Sequence, residues 1–207
     1  MRNKHELPPF GEIKHIPIDH DRLMECLMGY PAEYTDVISA NPALCMNHKA
    51  LVDSVYDSFG QINLTTVDPS KLMEPTTDVK ERIRRREERL YNIPTTEYQG
   101  SYFEQLVNQF FNQAMRVRIT RLDVGKDIPF HIDYDPTYAT RIIIPIITNP
   151  DVANLFKVKG KLISCHLDEG KAYFLNTGFP HSVVNSGSTA RIALMFSLEG
   201  QDDLRYL

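Results

Sequence analysis

From about residue 115 onward the chain is written as short, β-branched segments separated by turns, and few folds accept that pattern. Val117 and Ile119 alternate with Arg116, Arg118 and Thr120, which gives one apolar and one polar face at the period of a strand. Residues 141–148 form a nearly continuous β-branched run. Residues 155–168 read as a hairpin turning at Lys159, Gly160 and Lys161. Three further strands are expected at 172–175, 182–185 and 191–198, each set off by a glycine-containing turn. Many short strands at near-regular spacing indicate a sandwich or barrel.

Before residue 115 the apolar residues recur at helical spacing. Leu23, Cys26 and Leu27 share one face, as do Leu51, Val52, Val55, Tyr56 and Phe59. Val79, Ile83, Arg86 and Leu90 predict a helix over 78–91 with a thin stripe. Ser101 followed three residues later by Glu104 is a capping box, and Phe103, Leu106, Val107 and Phe110 then form one face. The expected architecture is α+β: one domain over 1–207, with a mainly helical flank at 1–114 packed on an antiparallel β-roll at 115–207.

Composition narrows the function. The 207 residues are 42% hydrophobic and carry a net charge of −4, enough chain for a sizeable core without staples. An acidic balance argues against a dedicated nucleic-acid partner. Three cysteines without a paired spacing (Cys26, Cys45, Cys165) predict reduced thiols and no zinc ribbon. The opening MRNKHELPPF lacks the apolar run of a signal peptide, and the longest apolar run, IIIPII, is too short for a membrane helix. A cytoplasmic protein with no membrane partner is expected. The run KERIRRREER at 80–89 holds six basic and three acidic residues. Without interleaved aromatics it reads as a solvated helix face, not a base-stacking platform.

The chemistry concentrates in three residues. His131 and Asp133 form His-x-Asp in DIPFHIDYD, and residues i and i+2 of a strand point to the same face. His181, in FPHSVVN, can bring a third ligand from another strand. Two imidazoles and one carboxylate on one face of an octahedron form the triad of non-haem Fe(II) oxygenases, with three positions left open. Asp135 lies on the same face as His131 and is the alternative carboxylate. Arg191 stands ten residues after His181, at the head of the next strand. A guanidinium there can clamp the far carboxylate of a dicarboxylate cosubstrate such as 2-oxoglutarate. Tyr134 and Tyr138 either line the substrate mouth or pack beside it. His5, His15, His20 and His48 lie outside the β half and read as surface or core residues, and His166 as a partly exposed strand residue.

With His131, Asp133, His181 and Arg191 in place, and with Arg141 in RIIIPIITNP and the stretch HSVVNSGSTARIAL, the chain resembles the aspartyl/asparaginyl β-hydroxylase-like branch of the 2-oxoglutarate/Fe(II) oxygenases, a group that includes free-proline hydroxylases. The resemblance covers about residues 115–200. It implies a double-stranded β-helix (jelly-roll, cupin-like), Fe(II) held by His131, Asp133 and His181, and 2-oxoglutarate and O₂ as cosubstrates, with ascorbate as a stimulant. It also implies that Arg191 binds the distal carboxylate of 2-oxoglutarate, that Arg141 is a second arginine lining that pocket, and that Thr120 assists with its hydroxyl. The protein-targeting aspartyl hydroxylases have Gly where Asp133 stands and a His where this chain has Ile143. These departures move the chain toward the proline hydroxylases. The expected activity is hydroxylation of an amino-acid side chain, free or peptidyl, with proline the first substrate to test. The alternatives are oxidative demethylation of a nucleobase and a non-catalytic cupin-like protein that binds a metal or small acid.

Overall fold

The computed structural model describes residues 1–30, 35–36, 59–71 and 88–207. Eight strands build the roll: β6 (Ala114–Leu122), β7 (Lys126–His131), β8 (Thr140–Ile147), β9 (Val152–Val158), β10 (Lys161–Cys165), β11 (Ala172–Leu175), β12 (His181–Asn185) and β13 (Arg191–Leu198). They divide between two antiparallel sheets. One contains the order β11-β8-β13-β6, and the other is β10-β9-β12-β7. Successive strands alternate between the sheets, except at the β9–β10 hairpin. That winding is a double-stranded β-helix, as expected.

The flank also supplies strands: β1 (Phe10–Ile13), β2 (Thr35–Asp36), β3 (Phe59–Asn63), β4 (Thr65–Val67) and β5 (Tyr91–Pro94). β1 pairs with β11, β3 pairs with β6 and β2 pairs with β3, which extends the larger sheet to seven strands. The expectation of a mainly helical flank is therefore corrected for the described residues. The physical reason is that an open sheet edge must be paired or covered, and β1 and β3 pair with β11 and β6, the two outer strands of the roll's share of that sheet. Phe59, read from its spacing as helical, opens β3. The expected helix over 78–91 is corrected at its described end, where Glu88–Leu90 is a single 3₁₀ turn and Tyr91 begins β5. The remainder of that helix, most of the one containing Leu51, Cys45, His48 and most of the basic run lie outside the described residues.

Among the described residues, two helices lie on the outer face of the large sheet. α1 (His20–Met28) is capped by Asp19, whose side chain accepts from Arg22 N. α2 (Tyr102–Val107) is capped by Ser101, whose hydroxyl accepts from Glu104 N at 3.3 Å. The Glu104 carboxylate reaches back to Gly100 N at 2.6 Å, so the capping pair forms one residue earlier than the usual reciprocal box. Leu23, Phe103, Leu106 and Val107 bury against Val117, Ile119, Ile142, Ile144, Ile146 and Phe196. The alternate residues of the sheet's strands face the inside of the roll, where Ile143, Tyr173 and Ala193 meet Phe156 of the opposite sheet. β8 is thus buried on both faces, which is why its sequence is a continuous apolar run and not an alternating one.

The β9–β10 turn puts Lys159 and Gly160 at φ of 48° and 76°. Two successive positive-φ residues suit the twist of a two-residue hairpin. A second irregularity positions the site. Between β12 and β7, His181 pairs with His131 and Val183 with Ile128, so two steps on one strand face three on the other. The extra residue falls at Pro129–Phe130. Proline has no N–H to give to the ladder, and a bulge is where a strand tolerates it.

Candidate metal centre

The bulge decides where His131 points. Ile128 packs inside the roll, and in an unbroken strand a residue three positions on would face outward. The additional residue reverses the phase, so Ile128 and His131 share the inner side. Phe130 turns outward, where Lys157 Nζ lies 3.9 Å from its ring centroid. Asp133 lies beyond the end of β7, and its backbone N–H donates to Thr177 O at 3.0 Å. It reaches the site from the segment after the strand, not from the same strand as expected.

His131, Asp133 and His181 converge, with one ligand atom from each lying within 4.8 Å of the others. His131 Nε2 is 3.8 Å from Asp133 Oδ1, and His181 Nε2 is 4.0 Å from Asp133 Oδ2. Each imidazole uses its other nitrogen in the same way: His131 Nδ1 lies 2.8 Å from Pro129 O, and His181 Nδ1 lies 3.0 Å from Phe179 O. A carbonyl can only accept, so Nδ1 carries the proton and the Nε2 lone pair is left for a metal. Burial pushes His181 down to about 4, against the pull of Asp133, so the ring is neutral at pH 7. Burial opposes the charge on Asp133, but Arg141, with His131 and His181, more than offsets this and holds its carboxyl below the usual range. Two imidazoles with Nε2 turned to the centre and an ionised carboxylate fit a divalent first-row ion such as iron. The side chains of His131 and Asp133 are 40% and 35% exposed, against 12% for His181, so the centre opens to solvent on one side.

Asp135, the alternative carboxylate, is committed elsewhere. Its Oδ1 accepts from Thr137 N and Oγ1, and its Oδ2 from Lys4 N. Tyr134 and Tyr138 pack on each other at 4.4 Å, and Arg89 lies over the Tyr138 ring. The thiols of Cys26 and Cys165 are free and half-buried, and burial pushes Cys165 up to about 12.

Arg191 is 4% exposed and pairs with no carboxylate among the described residues. Burial alone lowers its pKa to about 10. It lies two positions from Ala193, on the interior-facing side of β13. Thr120, fully buried, donates its hydroxyl to Ala193 O at 3.2 Å. Arg141 is also buried, but it is paired. Its Nη2 lies 2.8 Å from Glu88 Oε1 and 3.4 Å from Asp133 Oδ2, while Nη1 has no partner among the described residues.

Glu88 was invisible from the sequence. It is fully buried and takes Arg116 Nη1 as well as Arg141, with the Ser197 hydroxyl on its other oxygen. Burial works against its charge, but Arg141, Arg116 and Arg118 hold it at about 2. Nothing local marks it out within a run of charges. The available signal was remote: Arg116 and Arg118 fall on the inner side of a strand whose other side is core, and several guanidiniums gathered in an interior call for a compensating anion.

The protein is thus a double-stranded β-helix with two histidines and a carboxylate at its mouth. The family model for aspartyl/asparaginyl β-hydroxylases matches residues 91–200, just over half of the chain, and the protein belongs to that family. No curated protein matches it. Among solved structures, a 2OG-Fe(II) oxygenase family oxidoreductase from Burkholderia pseudomallei is similar at 13% identity, over 73% of this chain and 75% of that one, with a TM-score of 0.44. A cupin domain from Bordetella pertussis Tohama I is similar at 18% identity, over 44% and 88% of the two chains, with a TM-score of 0.34. An oxalate oxidase in complex with glycolate aligns at 20% identity over 42% of each chain, with a TM-score of 0.33.

Proposed function

We propose that this protein is an Fe(II)- and 2-oxoglutarate-dependent dioxygenase of the cytoplasm that hydroxylates an amino-acid side chain, free or within a peptide, with proline the first candidate. The observation that carries the reading is the convergence of His131, Asp133 and His181 within 4.8 Å, with both Nδ1 atoms tied to carbonyls. When bound, iron and 2-oxoglutarate supply the oxidation: O₂ is consumed, 2-oxoglutarate leaves as succinate and CO₂, and one oxygen atom enters the substrate C–H bond.

The chain's own residues bind and orient. Pro129 O and Phe179 O fix the two imidazoles so that Nε2 faces the ion. Asp133 supplies the charged oxygen. Arg191, desolvated and without an acidic partner among the described residues, takes the distal carboxylate of 2-oxoglutarate. The free Nη1 of Arg141 provides a second donor to the cosubstrate, and Thr120 stands beside Arg191 on the same inner face. Ile143, Phe156 and Ala193 keep the interior dry, which strengthens every one of these charge interactions.

Succinate formation from 2-oxoglutarate with Fe(II) and ascorbate tests the reading, run with and without free amino acids, peptides and methylated DNA. Turnover stimulated by an amino acid or peptide supports it. Stimulation by methylated DNA alone would establish the nucleobase alternative, and no turnover with metal bound would leave a non-catalytic binding protein.

A further inference from the structure

Glu88 is the buried acid that the metal reading leaves without a task. One nitrogen of Arg141, Nη2, reaches two carboxylates: Glu88 Oε1 at 2.8 Å and Asp133 Oδ2 at 3.4 Å. The nearer is not the metal ligand. Arg116 fixes the same Glu88 oxygen from another side at 2.8 Å, and the Ser197 hydroxyl holds the second oxygen, so the carboxylate cannot turn away.

An arginine beside a metal carboxylate competes with the metal. Guanidinium and carboxylate prefer a two-pronged pair, which occupies both oxygens. Asp133 Oδ1 and Oδ2 currently face His131 and His181. Closing a fork with Arg141 would turn them from that centre and neutralise their charge. Arg141 stays out of this geometry because Glu88 engages it at the shorter distance.

Resting on the metal reading above, we propose that Glu88 is a positioning residue for the metal centre: it holds Arg141 off Asp133 and so keeps the Asp133 carboxylate available to the ion. Glu88 itself touches no ligand.

Mn(II) affinity of the apo protein, read as free Mn(II) by electron paramagnetic resonance without cosubstrate, tests this. Glu88→Gln keeps the shape and removes the charge. Its affinity should fall about 10–100-fold, the usual range for a lost partner of a metal ligand. The double variant Glu88→Gln/Arg141→Gln should recover most of that loss, because the competitor is gone. Unchanged affinity in Glu88→Gln overturns the proposal. A double variant as weak as the single also overturns it, since a merely structural role for Glu88 would not be rescued by removing its partner. Should Glu88→Gln fail to fold by circular dichroism, Arg141→Gln alone decides: affinity at or above wild type supports the proposal, and a clear fall refutes it. A wild-type protein that binds no Mn(II) would instead refute the metal reading.

Discussion

Arg191→Met should make the apo protein more stable while removing its hold on 2-oxoglutarate. The side chain is 4% exposed, with no carboxylate partner among the described residues, and its pKa lies at about 10 where 12.5 is ordinary. A drop of that size corresponds to about 3 kcal/mol of penalty on the charged form. At every pH below about 10 the folded protein still carries the charge, so the penalty is constant across the working range. Methionine fills a similar volume without it, and buried charges replaced by apolar groups commonly give back about 1–4 kcal/mol. For a chain of this size each kcal/mol moves Tm by about 2–4 °C, so thermal unfolding should shift upward by several degrees. Calorimetry with Mn(II) in place of iron should show binding of 2-oxoglutarate lost in Arg191→Met. In Arg191→Lys the charge remains but the fork does not. Losing one charge-assisted hydrogen bond costs about 1.5–3 kcal/mol, a weakening of roughly 10- to 150-fold. A less stable Arg191→Met would mean that a structural counter-ion holds the guanidinium. Unaltered 2-oxoglutarate binding in Arg191→Lys would remove Arg191 from the cosubstrate site.

Three further outcomes are expected. Asp133→Ala should abolish substrate-dependent succinate formation and weaken metal binding. Near wild-type turnover with iron bound would show that two histidines suffice here. Glu88 contributes stability that is present above about pH 4.5 and is lost as pH falls toward its folded value of about 2, on the order of 3 kcal/mol. Glu88→Gln should therefore flatten the acid limb of a stability–pH profile in denaturant melts, and an unchanged limb would count against the buried pairing. Leu106→Ala removes a fully buried side chain from the α2 face and should cost about 2–5 kcal/mol by chemical denaturation, with metal affinity unaffected. A loss under 1 kcal/mol would mean that α2 is not a determinant of the core.

The strands at 172–175 and 191–198 were legible in the sequence to the residue, and so was the turn at Lys159-Gly160, because each rests on a local signal: period, β-branching, or a residue that tolerates positive φ. The capping serine of α2 was legible for the same reason. The triad could be named because its chemistry restricts residue types, and His131, Asp133 and His181 are a rare enough set to stand out before any packing is known. Other features depend on partners far away in the chain. β1 and β3 are strands because the large sheet has edges to cover, and nothing within FGEI or FGQIN says so. His131 faces the interior only because the ladder with β12 gains a residue at Pro129–Phe130, a matter of register between two strands. Glu88 belongs to a run of charges whose local reading is a solvated surface. Arg116, Arg141 and Ser197, brought together by three separate strands, supply the countercharge and hydrogen bonds that make its burial affordable, and a local pattern carries no information about a compensation assembled across the sheet.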